Sequence, residues 1–144
     1  MKIEIMQKKH LKDVVQIAED SLAEAWSESA FSDELKNESA TVFVALISDA
    51  VVGFGGVQRV LDEAYITNIA VKKESRRQGV GEALLKAIIN HCADSSFVTL
   101  EVRVSNSAAI KLYEKSGFVS QGIRKGFYSH PLEDANIMTL FLGE

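Results

Sequence analysis

Apolar residues along this chain recur first at strand spacing, then at helical spacing, then at strand spacing again, and the order of those periods predicts its elements. Lys2 to Met6 sets Ile3 and Ile5 on one face of a short strand. Leu11, Val14, Val15, Ala18 and Leu22 follow at helical spacing. Phe31 and Leu35 mark a second, shorter helix after Ser27, whose hydroxyl suits an N-cap, and Trp26 stands between the two. Thr41 to Ile47 and Ala50 to Val60, rich in Val, Phe and Ile, read as a hairpin joined at Ser48-Asp49. Leu61-Asp62-Glu63 makes a tight connection into Ala64 to Val71, whose two faces are both mostly apolar, as in a central strand covered on both sides.

The longest helix is expected from Val80, where Val80, Leu84, Ala87, Ile88 and His91 form a stripe and Glu82 favours the N-terminal end. In the strand that follows, Val98, Leu100, Val102 and Val104 line one face and Phe97, Thr99, Glu101 and Arg103 the other. Ser105, Asn106 and Ser107 all suit a cap for a helix whose buried side is Ala109, Leu112 and Tyr113, and Gly117 can end that helix in the left-handed conformation. Two last strands, Phe118 to Gly126 and Asn136 to Leu142, flank a loop holding Pro131. The sum is a single α/β (α+β) domain over residues 1–144, a mixed and mostly antiparallel central sheet with helices on both faces. Neither strict strand and helix alternation nor an all-strand order fits, which disfavours a doubly wound nucleotide fold and a sandwich.

Composition changes this picture at one place. At 144 residues, 47% hydrophobic and 25% charged, the chain is expected to be one soluble, cytoplasmic domain with no membrane association. Met1 to Gln7 is too short and polar for a secretion signal, and the single cysteine, Cys92, excludes a disulfide framework. Sixteen basic against twenty acidic residues leave a net charge of −4, which argues against nucleic-acid binding. Yet Lys72, Lys73, Arg76 and Arg77 put four cations into six residues directly before Gly79 and Gly81.

That segment, Arg76-Arg77-Gln78-Gly79-Val80-Gly81, joins a central strand to a helix N-terminus, where free backbone N–H groups and the helix dipole favour an anion. The alternative is a solvated basic loop with a glycine turn. Position 84 is Leu where a dinucleotide fingerprint needs glycine, and no lysine followed by Ser or Thr comes after Gly81 as a P-loop requires, so a diphosphate held by other means is expected. Glu101 and Tyr113 could face one cleft as a general base and a general acid. Equally, Glu101 could pair with Arg103 on a watered sheet face and Tyr113 could be a core aromatic. Asn106 could cap its helix or reach a ligand, and Gly53, Gly55 and Gly56 mark either a close backbone approach or a flexible strand. His10, His91 and His130 are dispersed, so no metal site is expected, and no nucleophile elbow occurs.

Asn68-Ile69-Ala70-Val71, Arg76 to Gly81, Leu100-Glu101-Val102-Arg103 and Asn106 to Phe118 resemble the GNAT superfamily of acetyl-CoA-dependent N-acetyltransferases. Ala25-Trp26-Ser27, Val60 to Ala64, Arg124 with Tyr128, and Glu133-Asp134-Ala135 extend the likeness to its RimI subfamily, which acetylates the N-terminal alanine of a small-subunit ribosomal protein. The resemblance implies that Arg76, Arg77, Gln78, Gly79, Val80, Gly81 and Glu82 hold the CoA pyrophosphate and that Ile69, Ala70 and Val71 pair with the pantetheine. It further implies that Asn106 contacts the cofactor, that Glu101 is the general base and that Tyr113 is the general acid.

An N-terminal amine has a reference pKa near 7.7 to 8.0, against 10.4 for lysine, and deprotonating lysine would cost about 3 kcal/mol more. Glu101 would act through water, a backbone N–H near Ile69 to Val71 would steady the oxyanion, and Tyr113 would protonate the thiolate. A lysine or small-amine acetyltransferase and a non-catalytic CoA-binding module are the alternatives. Asp62-Glu63 and Glu133-Asp134 are expected to suit a basic ribosomal protein as acceptor. Ala25 stands where the subfamily commonly has proline, and Phe127-Tyr128 replaces its paired tyrosines.

Overall fold

The computed structural model describes residues 1–143, and in it the predicted order of elements is realised. Among these residues the strands are β1 (Lys2–Ile5), β2 (Ala40–Ile47), β3 (Ala50–Val60), β4 (Glu63–Val71), β5 (Phe97–Arg103), β6 (Val119–Ser129) and β7 (Leu132–Phe141). The helices are α1 (Leu11–Ser21), α2 (Glu28–Glu34), α3 (Val80–His91) and α4 (Ser107–Lys115), with single 3₁₀ turns at Lys8–His10 and Lys73–Ser75. The strands form one sheet in the order β1-β2-β3-β4-β5-β7-β6, and β4 with β5 is its parallel pair. α1 and α2 cover one face, over Val44, Val51, Phe54 and Ala70. α3 and α4 cover the other, over Val52, Val57, Ile66, Leu100 and Val102.

Local chemistry explains the joints. Ser48 and Asp49 both take positive φ, 50° and 66°, which gives the two-residue turn the twist of its flanking strands. The Ser27 hydroxyl accepts from the Ala30 N–H at 3.1 Å and starts α2. α4 ends on Gly117 at φ 100°: the Gly117 N–H reaches the Glu114 carbonyl and the Phe118 N–H the Tyr113 carbonyl, both at 3.0 Å. The rings of Tyr113 and Phe118 meet across that ending at 5.7 Å, the apolar contact that accompanies a Schellman motif.

The last hairpin departs from expectation. β6 runs on past Gly126 and β7 begins at Leu132, so the expected loop shrinks to His130-Pro131. Gly126 does not end the strand because it takes φ 63° within a bulge between Arg124 and Tyr128, where its N–H is received by Asp134 Oδ1 at 2.9 Å. β5 likewise stops at Arg103, leaving Val104 exposed.

Of the glycines in β3, two admit the close approach of α3. A Cβ on Gly53 would lie 3.0 Å from the Ala70 carbonyl oxygen and 3.1 Å from Val80 Cγ1, and one on Gly55 would lie 3.0 Å from Ile88 Cδ1. Their bare backbone lets α3 settle on the sheet, which fixes where its first turn lies. Gly53→Val is expected to lower the free energy of unfolding by about 1–3 kcal/mol, through overpacking against backbone. Urea denaturation would measure it, and a variant as stable as the parent would contradict the approach described.

Candidate active site

β4 and β5 pair only through Glu63 with Phe97, Ala64 with Val98 and Tyr65 with Thr99. Beyond that they separate, and a cleft of about 920 Å³ opens between Ile66–Val71 on one side and Leu100–Arg103 on the other. At the point of separation Thr67 is the extra residue of a bulge, since Gly56 pairs with Asn68 and Val57 with Ile66. The bulge inverts the alternation of β4: Ala64 and Ile66 face α3 before it, and Ile69 and Val71 face α3 after it.

The backbone of β4 is left open along the cleft. The Lys72 N–H goes to the Val52 carbonyl of β3, so alternation turns the groups of Ile69 and Val71 to the other edge, where no strand meets them. Ala70, between them, is tied to Phe54 of β3 and buries its methyl under α1 and α2, so it serves as spacer. Arg76 Nε donates to the Val71 carbonyl at 3.0 Å, and its Nη2 reaches Ser21 Oγ at 3.4 Å. Thr67 Oγ1 and Asn68 Oδ1, buried in residues that line the cleft, have no partner among the described residues.

At the α3 end, Gly79 takes φ 80° as N-cap with no side-chain cap, and Arg77 takes φ 64°. The Ala83 N–H is the first to bond back within the helix, to Gly79, so the Val80, Gly81 and Glu82 N–H groups face the cleft mouth without helical acceptors. This is an anion-binding arrangement built of backbone donors beside two arginines. The Glu82 carboxylate is held by Lys115 at 2.9 Å, which neutralises it there. Gln78 is the exception among the expected residues. It does not line the cleft, because its side-chain amide turns away to the Glu74 carbonyl at 3.3 Å.

Glu101 and Tyr113 line this same cleft from opposite faces of the sheet. Glu101 belongs to the α1/α2 face, whereas Tyr113 sits in the core beneath α4, 4% exposed. Only where the sheet has parted can both reach one volume. The expected alternative partner of Glu101 is excluded: Arg103 binds Glu133 Oε1 at 3.1 Å and Glu24 Oε1 at 3.5 Å, while the nearest cation to Glu101 is Arg124 at 3.7 Å. Burial pushes the Tyr113 phenol well above its ordinary pKa. Tyr128, also in the lining, is pushed up to about 12 by burial, opposed by Arg103 and reinforced by Glu101.

Asn106 caps α4, its Oδ1 accepting from the Ala109 N–H at 3.2 Å, and lines the cleft as well. Trp26 packs on Phe31 at 5.3 Å and also lines it, so it combines plug and wall. Leu22, expected on the helical stripe, lies just past the end of α1 and forms a wall with Ala23 and Glu24, which were not foreseen because a loop between two helices has no periodicity to announce its facing side. Among the described residues, each carboxylate of the acidic pairs has a hydrogen-bond partner, and Glu133 alone of these carboxylates is ion-paired. Glu133 is bound by Arg103 and Ser105, and Asp134 by Gly126. Asp62 is bound by Ser96 and Glu63 by Tyr65. No group of three or more His, Cys, Asp or Glu is placed to hold a metal among the described residues. None of their helices is long and apolar enough to cross a membrane.

A sequence profile of the acetyltransferase (GNAT) family matches residues 11–118. The ribosomal protein bS18-alanine N-acetyltransferase of Escherichia coli strain K12 is 41% identical over 119 residues, 80% of either chain. That of Salmonella typhimurium strain LT2 is 38% identical over 142 residues, 96% of this chain and 95% of its own. The crystal structure of the ribosomal-protein-S18-alanine N-acetyltransferase from Escherichia coli superposes with a TM-score of 0.90 at 35% identity, covering 99% of this chain and 94% of its own.

The burial of the two cleft phenols has a consequence in alkali. Their folded pKa values exceed the unfolded value near 10, so the stability they confer is complete below about pH 10 and is lost as pH rises through the folded values. Between about pH 9 and about pH 11 the melting temperature of the parent is expected to fall more than that of Tyr113→Phe. Parallel curves would contradict the burial of that hydroxyl.

Proposed function

The chain belongs to the GNAT acetyltransferase family, and on that premise we propose that it transfers acetyl from acetyl-CoA to the α-amine of a protein N-terminus, the N-terminal alanine of ribosomal protein bS18 in particular. The observation that carries this reading is a carboxylate and a buried phenol, Glu101 and Tyr113, lining one cleft beside an unpaired strand edge. The named relatives supply the acceptor class.

The residues fit the cofactor on physical grounds. Backbone donors of Val80, Gly81 and Glu82 with Arg76 and Arg77 suit a diphosphate, and the open edge at Ile69 and Val71 suits an amide chain laid alongside it as an added strand. Asn106, its Oδ1 engaged in the cap, has its Nδ2 to offer the same ligand. Bound there, acetyl-CoA supplies a thioester acyl group open to attack by a neutral amine.

Glu101 receives the proton of the incoming ammonium, directly or across one water. An α-ammonium needs only a modest base, since its reference pKa is near 7.7 to 8.0. N–H groups of the Ile69–Val71 edge are free to donate, and would stabilise charge developing on an acyl oxygen laid against that edge. Tyr113 holds a proton at its phenolic oxygen, kept there by burial, for the departing sulfur. Neither a covalent enzyme intermediate nor a metal is needed for these steps.

Three measurements test this reading. Acetyl-CoA is offered with an alanine-starting bS18 peptide, with the same peptide blocked at its N-terminus, and with a polyamine. Turnover is expected with the first alone, and activity that survives the block would remove the N-terminal assignment. Tyr113→Phe is expected to keep acetyl-CoA affinity and lower kcat by about two orders of magnitude; an unchanged kcat would refute its role as acid. Gly81→Arg, whose side chain must enter a space 3.3 Å from Leu112 and 3.8 Å from Val71, is expected to abolish thermal stabilisation by acetyl-CoA.

A further inference from the structure

Arg103 makes more polar contacts than any role in the proton transfers requires. Its Nη1 donates to the Pro131 carbonyl at 2.9 Å and to Glu133 Oε1 at 3.1 Å, and its Nη2 donates to the His130 carbonyl at 3.2 Å and lies 3.5 Å from Glu24 Oε1. The guanidinium carbon sits 4.2 Å from the centre of the Tyr128 ring. Both carboxylates are doubly used: Glu24 Oε1 accepts from the Ser129 N–H at 3.2 Å, and Glu133 Oε2 from the Ser105 N–H at 2.8 Å. One side chain at the end of β5 thus fastens the loop between α1 and α2 to the tip of the β6–β7 hairpin.

Those two segments share a location. Glu24 with Leu22, Ala23 and Trp26 on one, and Tyr128 on the other, line the cleft on the side of Glu101. The diphosphate-binding end, at Gly79 to Glu82, receives no contact from Arg103. We propose that Arg103 is a positioning residue for the acceptor: it holds the α1–α2 loop and the Tyr128 ring together as the wall against which the incoming N-terminus is aligned with Glu101. This rests on the acetyl transfer to a protein N-terminus argued above. The chemistry needs arginine, because a planar fork can meet two carbonyls and two carboxylates while its face packs on a ring, and a lysine ammonium cannot do all of these. Arg103 lies two positions after Glu101 on the same face of β5, so the clamp and the carboxylate share one rigid strand.

The test compares the parent with Arg103→Lys, which keeps charge and loses the fork, and with Glu24→Gln, which weakens only the tie to the loop. Amide hydrogen exchange is followed in residues 22–27 and 126–131, alongside KM for an alanine-starting peptide and Kd for acetyl-CoA. Arg103→Lys is expected to exchange about tenfold faster in both segments and to raise peptide KM about tenfold, with kcat at saturation and acetyl-CoA Kd within about twofold of the parent. Glu24→Gln is expected to quicken exchange in 22–27 and, in the other segment, only at Ser129, whose N–H Glu24 receives, and to raise peptide KM less. Parent-like exchange in both segments overturns the clamp, and an equal loss of peptide and acetyl-CoA binding overturns its confinement to the acceptor. Should Arg103→Lys not fold, Glu24→Gln decides by the same readings. A parent inactive on every N-terminal peptide strikes the proposed function instead, and the exchange data still decide the clamp.

Discussion

β4 and β5 stop pairing with each other after Tyr65 and Thr99, while each stays paired with its outer neighbour, and the open edge of the cleft depends on that parting. Backbone N–H and C=O groups are obligatory hydrogen-bonding partners, so an interior strand that loses its neighbour either meets water or meets a ligand of matching geometry. Ile69 and Val71 present such groups in the middle of the molecule. A seven-stranded sheet with a continuous ladder would bury this edge and divide Glu101 from Tyr113 by its own thickness.

The parting is held by features that would be costly anywhere else. The Thr67 bulge gives up a ladder pair and leaves polar atoms without partners among the described residues. Glycines at 53 and 55 give up side-chain burial so that α3 can lie close. Arg77 adopts a left-handed backbone that only special positions tolerate. Each of these three departures lies on the cleft or positions one of its walls, as expected where local preference yields to function.

Much of this was legible in the residues. Periodicity located the helices and strands, Ser27 and Asn106 announced their caps, and the cations before Gly79 and Gly81 marked a loop that lines the cleft. Three things were not legible, each for a physical reason. The bulge at Thr67 leaves no mark on an apolar run, because both faces of β4 are covered. The extent of the last hairpin depended on Asp134 bonding the Gly126 N–H, a tertiary contact that turns a strand breaker into a bulge. The partner of Arg103 could not be chosen from spacing, since Glu101 is its neighbour along the strand while Glu24 and Glu133 reach it only through the fold. The family resemblance named Glu101 and Tyr113; what the residues alone lacked was the reason that a sheet-face carboxylate and a core phenol can share one volume.

The three rungs that join β4 to β5 have a mechanical meaning as well. The sheet consists of two leaves, β1 to β4 and β5 with β7 and β6, sewn together along a seam only as long as Glu63 to Tyr65. α3 packs on the first leaf, the chain passing from it into β5 of the second, and the contact of Glu24 with Arg103 is a stitch at the far margin. Tilting one leaf against the other changes the width of the gap without breaking a ladder bond within either leaf. A rod-like amide chain lying along the open edge would therefore act as the missing strut, turning a book with a short spine into a continuous plate.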